Sequence, residues 1–213
     1  MDFTLSKEQI DIQKAAREFA LGEFPDRAQE FDRNESFDLD IWRKACRLGF
    51  VGVFIEEAYG GAGLGFFEHC LITEEFWAVD AGMANAVITT TFGAELLGLF
   101  GTEEQKKRYL PPLAGGEAII GTAITEPDAG SDVTGAITTA VRDGDEYVIN
   151  GSKMFITNGS IANYLNVFCL TDPDNPDRHQ RHSFFIVETD RPGFEANKLH
   201  GKLGIRANDT AEI

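Results

Sequence analysis

The hydrophobic pattern of this sequence changes period once, near Ile119, from the three-to-four spacing of helices to the alternation of strands. Before the change, Ser6-Lys7-Glu8-Gln9 has the form of a capping box, and Ile12, Ala16, Phe19 and Ala20 then fall on one helical face. Asp38 is placed to cap a helix carrying Ile41, Trp42, Ala45 and Leu48, which Gly49 stops. A glycine-rich crossing, Tyr59 to Gly65, leads to a segment from Phe66 to Val79 and then to the apolar stretch 81–101. Thr102-Glu103-Glu104-Gln105 is a second capping box, opening a helix that Pro111-Pro112 is expected to end.

After the change come short runs rich in β-branched and aromatic residues: 138–141, 147–150, 167–170 and 183–187. Asp143-Gly144 and Asn150-Gly151 are hairpin signals, and 172–182 is an exposed polar loop. Helices first and strands afterwards predict an α+β chain in two segregated units, unlike the alternation of a Rossmann fold. The expectation is an all-helical N-terminal domain over 1–118 and an antiparallel, barrel-like β domain over 119–213. The last residues, Ala211-Glu212-Ile213, read as entering a strand, so the chain is expected to be the front part of something longer.

A net charge of −16 argues against a nucleic-acid or membrane-surface binder, because phosphate backbones are held by clustered Lys and Arg. An anionic ligand would have to be held by local basic residues, backbone N–H groups and helix N-termini. Residues 81–101 carry one charge, Glu95, over a length that could cross a bilayer. Asn85, three threonines at 89–91 and four glycines favour a buried helix of a soluble domain instead. Cys46, Cys70 and Cys169 lack CxxC spacing and read as reduced, buried, cytoplasmic-type thiols. The four histidines show no metal-ligand pattern, and Met1-Asp2-Phe3-Thr4 begins no secretion signal.

The chemistry concentrates in two segments. In 123–135, a short apolar run passes through Glu126-Pro127-Asp128 into Gly130-Ser131-Asp132. Gly130 can adopt positive φ and holds no side chain against a ligand, while Ser131 offers a hydroxyl and a backbone N–H. On its residues alone this loop is either an ordinary polar turn or a ligand cradle. In 151–159, Phe155 offers a flat apolar face and Thr157 a hydroxyl beside it. Alone, these read as core and strand surface; beside the 125–131 loop, they make the pairing an isoalloxazine ring needs.

With these segments the chain resembles the acyl-CoA dehydrogenases along nearly its whole length. Residues 123–135 agree with the family's first signature at every restricted position, and Phe155-Ile156-Thr157-Asn158-Gly159 is similar to its flavin segment. Gly101-Thr102-Glu103-Glu104-Gln105-Lys106 with Tyr109-Leu110-Pro111 is similar to its linker helix. Tyr59-Gly60-Gly61 matches its glycine-rich crossing, and 202–206 its late β segment. Phe155 stands where Trp is common, Glu56 and Ala58 replace the usual Pro and Glu, and Asn208 replaces a Ser.

The resemblance implies FAD held between the β domain and the helices, and a C-terminal four-helix bundle absent from this chain. It implies flavin contacts at Thr122, Ile124, Thr125, Gly130, Ser131, Phe155, Ile156 and Thr157. Thr125 would lie near the pyrimidine edge, Phe155 on the ring and Thr157 toward the redox nitrogen. Ser131 would also meet an acyl-CoA substrate. The activity implied is introduction of an α,β double bond into the thioester, with electron-transfer flavoprotein as acceptor and a cytoplasmic homotetramer as the assembly, or a mitochondrial-matrix one in a eukaryote. A related oxidase or monooxygenase, or a non-catalytic relative, shares the scaffold. The catalytic base is expected beyond Ile213. Glu126 reads as an anchor of its turn, Glu74, Glu75 and Glu95 as surface or helix-packing charges, and the acyl pocket would draw on Thr89, Thr90, Thr91 and Phe92.

Overall fold

Seven α-helices form where the helical period runs among the described residues, which in this computed structural model are 4–213. They are α1 (Lys7–Glu23), α2 (Pro25–Asn34), α3 (Leu39–Arg47), α4 (Phe66–Val79), α5 (Ala81–Ile88), α6 (Ala94–Phe100) and α7 (Glu103–Ala114). Both capping boxes form, with Ser6 accepting from the Gln9 N–H and Thr102 from the Gln105 N–H. Asp38 caps α3 through the N–H groups of Asp40 and Ile41, and Gly49 follows α3 at φ 77. Phe19, Phe24, Phe50 and Phe76 pack together with ring centroids between 5.3 and 5.9 Å apart. Burying each such ring stabilises the unit by roughly 1.5–3 kcal/mol.

Two expectations for these helices change. The 81–101 stretch is broken at Thr89–Gly93, where Gly93 sits at φ 118 and its N–H donates to Glu95. No helix among the described residues is long and apolar enough to cross a membrane. Helix α7 runs through Pro111 and Pro112 to Ala114. The prolines lie in its last turn, their carbonyls still accept from Gly115 and Glu117, and burial of Leu110 and Leu113 holds that turn in place.

This first unit extends to Ala118 and also includes His200–Asn208. The segment resembling a late β strand is irregular, with Ile205 at φ 52. It is tied to the end of α2: Glu35, itself at φ 50, accepts from the Gly201 N–H and from Arg206 at 2.9 Å.

The second unit comprises Ile119–Leu199 and Asp209–Ile213. Its strands are β1 (Ile120–Ala123), β2 (Thr139–Asp143), β3 (Glu146–Asn150), β4 (Ile156–Thr157), β5 (Tyr164–Leu170), β6 (His182–Glu188), β7 (Asn197–Lys198) and β8 (Thr210–Glu212). The α+β segregation therefore holds, but the pairing is mixed. β5 pairs antiparallel with β6 along its whole length and parallel with β1 and with the start of β2. A parallel pair needs a long crossover, and the chain between β1 and β5 supplies one. β4, β8 and β7 form a second, antiparallel sheet, and among the described residues the two sheets do not close into one barrel.

Asp143-Gly144 turns the β2–β3 hairpin with Gly144 at φ 61, as its composition predicts. Asn150-Gly151 makes no hairpin. Gly151 instead lies so close to Thr138 that a Cβ there would be 2.3 Å from its hydroxyl. Ile120, Ala123, Ala140, Ile156, Leu165, Val167, Cys169 and Ala211 fill the core of this unit. Cys46 and Cys169 are buried as expected, and burial raises their thiols to about 12 and about 11; Cys70 is exposed.

Candidate functional site

β1 carries its buried residues, Ile120 and Ala123, into the core and then releases the chain at Ile124 and Thr125, both half-buried. Glu126 and Ala129 bond each other through both backbone pairs, at 2.9 and 3.2 Å, closing a turn over Pro127 and Asp128. Beyond it Gly130 and Ser131 are exposed. Gly130 does not use positive φ; its contribution is open space, because a Cβ there would meet nothing within 4 Å.

Glu126 is buried, and its carboxylate accepts from the Ile137 N–H at 2.7 Å, the Thr138 N–H at 2.9 Å and Lys153 Nζ at 2.8 Å. Burial pushes its pKa up, but the Ile137 N–H, the Lys153 ammonium and Thr138 outweigh it and hold the group at about 2. A carboxylate so saturated accepts no further proton at neutral pH. Glu126 is thus the anchor of its loop, as its place in the turn suggests.

Lys153 is the residue whose role the sequence conceals. Its side chain is 2% exposed, and Nζ donates to the Ile124 carbonyl at 2.9 Å as well as to Glu126. The adjacent Met154 N–H donates to the Thr125 carbonyl at 2.8 Å, and the backbone of Lys153 pairs with Ile213. Three successive residues of β1's exit are in this way fastened to the segment just before β4. No motif marks Lys153, since the usual expectation for a lysine beside Ser152 is a solvated one.

Phe155 then adopts φ 60, a conformation L-residues with bulky side chains rarely take, and the residue is 66% exposed. It is not core. Ile156 is buried and Thr157 half-buried in β4, and Asn158 follows at φ 62. Gly121 lets β1 approach β4: a Cβ there would lie 2.7 Å from the Thr157 carbonyl oxygen. The far end of the segment is pinned by Asp209, which is fully buried, accepts from the Ser160 N–H and hydroxyl, and offers its carbonyl to the Asn158 N–H. Asp209 is also a residue that sequence reasoning passes over.

Thr122, Ile124 and Thr125 are therefore brought beside Phe155, Ile156 and Thr157, whereas Gly130 and Ser131 stand apart in the exposed loop. Among the described residues, neither the Thr125 N–H nor its hydroxyl has a hydrogen-bond partner. An exposed ring on a strained backbone, an unused donor pair and an open glycine together suit a flat aromatic ligand with a polar edge.

The N-terminal-domain model of the acyl-CoA dehydrogenases matches residues 6–117, and the middle-domain model of the same family matches 121–213. This chain belongs to the acyl-CoA dehydrogenase family. It is 40% identical to the short-chain-specific acyl-CoA dehydrogenase of Clostridium acetobutylicum over all of its own length and 56% of that protein's. The chain accordingly spans about half the length of the curated relatives it matches. A solved chain from work on the electron transferring flavoprotein of Acidaminococcus fermentans aligns with a TM-score of 0.90 at 38% identity, covering 100% of this chain and 56% of that one. A glutaryl-CoA dehydrogenase from Mycobacterium smegmatis, solved in complex with FADH2, aligns at 0.87 and 33% identity, covering 98% of this chain and 52% of that one.

In the helical unit of this acyl-CoA dehydrogenase family member, the threonines expected near an acyl pocket are mostly committed elsewhere. Thr90 is fully buried, accepting from Trp42 and donating to the Val87 carbonyl, and Thr89 donates to Asn85 and Asn208. Phe92 alone of the four is exposed. Glu75 is buried against Arg17, a packing charge as expected.

Proposed function

We propose that this chain supplies the flavin-holding part of an FAD-dependent acyl-CoA dehydrogenase, which introduces an α,β double bond into an acyl-CoA thioester. The observation that carries this is the apposition of the 124–125 backbone and Phe155–Thr157, enforced by Lys153 and by the Met154–Thr125 hydrogen bond. FAD would supply the hydride acceptor that no amino-acid side chain can.

The residues fit that group. Phe155 offers an exposed aromatic face, and the Thr125 N–H and hydroxyl are available for a polar ring edge. The Thr157 hydroxyl would donate beside the ring, with Thr122, Ile124 and Ile156 setting its position. Gly130 and Ser131 would receive the phosphate-bearing end and the acyl-CoA, where backbone N–H groups and a hydroxyl suit negative oxygens. These residues bind and orient; a rigid cradle of this kind lowers the barrier by aligning the reacting carbons before any bond breaks.

Glu126 is not the base that takes the α proton in this reading, because it is buried, bound by three donors and held at a pKa of about 2. We place the base outside residues 1–213. The protein is further proposed to pass its electrons to an electron-transfer flavoprotein and to work as a cytoplasmic homotetramer. Full-length protein should be yellow when reconstituted with FAD and should bleach anaerobically with a suitable acyl-CoA. A protein that stays colourless with FAD overturns the proposal, and release of hydrogen peroxide during turnover would replace the dehydrogenase by an oxidase.

A further inference from the structure

Lys153 does more in this geometry than pair with Glu126. Its ammonium donates to the carbonyl of Ile124, and that carbonyl belongs to the same peptide group as the Thr125 N–H. A cation on the oxygen of an amide draws electron density toward it and leaves the N–H a stronger donor; in a site screened from water the effect is not diluted. Lys153 is 2% exposed, and the Thr125 N–H has no partner among the described residues. The polarised donor is therefore presented outward, at the start of the loop assigned to the flavin.

We propose that Lys153 is a positioning residue that raises the reduction potential of the bound flavin by polarising the Ile124–Thr125 peptide. This rests on the flavin reading above. A two-electron-reduced flavin carries more negative charge on its pyrimidine edge than the oxidised ring, so a strengthened donor there favours the reduced form. Glu126 holds the ammonium in place, fixed in turn by the Ile137 and Thr138 N–H groups.

The test compares full-length wild type with the double variant Glu126→Gln/Lys153→Met, which carries neither charge and leaves no buried ion alone. The double variant should hold FAD with its two-electron equilibrium shifted about tenfold toward oxidised flavin, about 30 mV lower in potential. Lys153→Arg, which keeps a cation, should stay within about threefold of wild type. In the apoprotein the Thr125 amide proton should move upfield when the lysine charge is removed. Independently of any variant, the wild-type Lys153 ammonium should be visible by 15N NMR as a group slow to exchange with solvent.

Equal potentials in wild type and the double variant overturn the proposal, as does a rapidly exchanging ammonium. A wild-type protein that takes up no FAD overturns this inference and the proposed function together. A wild type that takes up FAD, with the potential unmoved in the double variant, overturns this inference alone.

Discussion

Lys153 Nζ lies 2.8 Å from Glu126 Oε1, with 2% and 4% of the two side chains exposed. The pair joins residues far apart in sequence, and every other lone pair or proton it uses is met by backbone: Ile137, Thr138 and the Ile124 carbonyl. Such a pair adds little against an apolar replacement, yet losing one partner strands a buried charge. Lys153→Met alone should therefore cost about 3–5 kcal/mol of stability. Glu126→Gln/Lys153→Met should recover most of that loss. Urea unfolding followed by near-UV circular dichroism checks both; a double variant no more stable than Lys153→Met would refute the assignment.

The same carboxylate makes stability depend on acid. Its folded pKa of about 2 lies below the ordinary 4.5, so folding favours its ionised form. The contribution is fully present above about pH 4.5 and is lost as pH falls toward about 2, amounting to at most about 3 kcal/mol. Unfolding free energies measured between pH 6 and pH 2.5 should fall more steeply for wild type than for Glu126→Gln. Parallel curves would mean that Glu126 titrates normally in the folded protein.

The segregated α+β plan was legible in the sequence because periodicity is a local property, and Ser6, Asp38, Thr102 and Gly144 act on their own neighbours. Pairing of β1 with β5 was not, since its register depends on contacts between residues some forty positions apart. The site shows the same division. Thr125, Phe155 and Thr157 stood out through residue type and resemblance, whereas Lys153 and Asp209 draw their roles from burial, which no local pattern encodes. Gly130 and Gly151 show a further limit: glycine announces permissiveness, but not whether it serves a left-handed turn, a close approach or open space.

Close approach is the decisive use at Gly121. A methyl there would sit 2.7 Å from the Thr157 carbonyl oxygen and 2.9 Å from Leu165 Cδ2, both in packed surroundings. Gly121→Ala should destabilise by about 1–3 kcal/mol, the usual cost of overpacking. It should also push β4 away from β1 and so weaken FAD binding beyond what the stability loss explains. Thermal unfolding and flavin titration of the same samples separate the two effects.

Phe155 presents the opposite balance, since the residue is mostly exposed and its φ of 60 is strained for a bulky side chain. Removing the side chain takes away little packing within the chain. Phe155→Gly relieves strain of about 1 kcal/mol while adding about 0.4–1 kcal/mol of unfolded-state entropy, so the two nearly cancel. Stability of the apoprotein should then match wild type. FAD affinity should not: loss of an aromatic face on the ring is worth about 0.5–1.5 kcal/mol beyond the area buried, so the Kd should rise roughly tenfold. Fluorescence titration with FAD gives the Kd, and unfolding of the flavin-free protein gives the stability. A variant that binds FAD as wild type does would remove Phe155 from the site, and one that unfolds would mean that the ring is held by the protein rather than offered to a ligand.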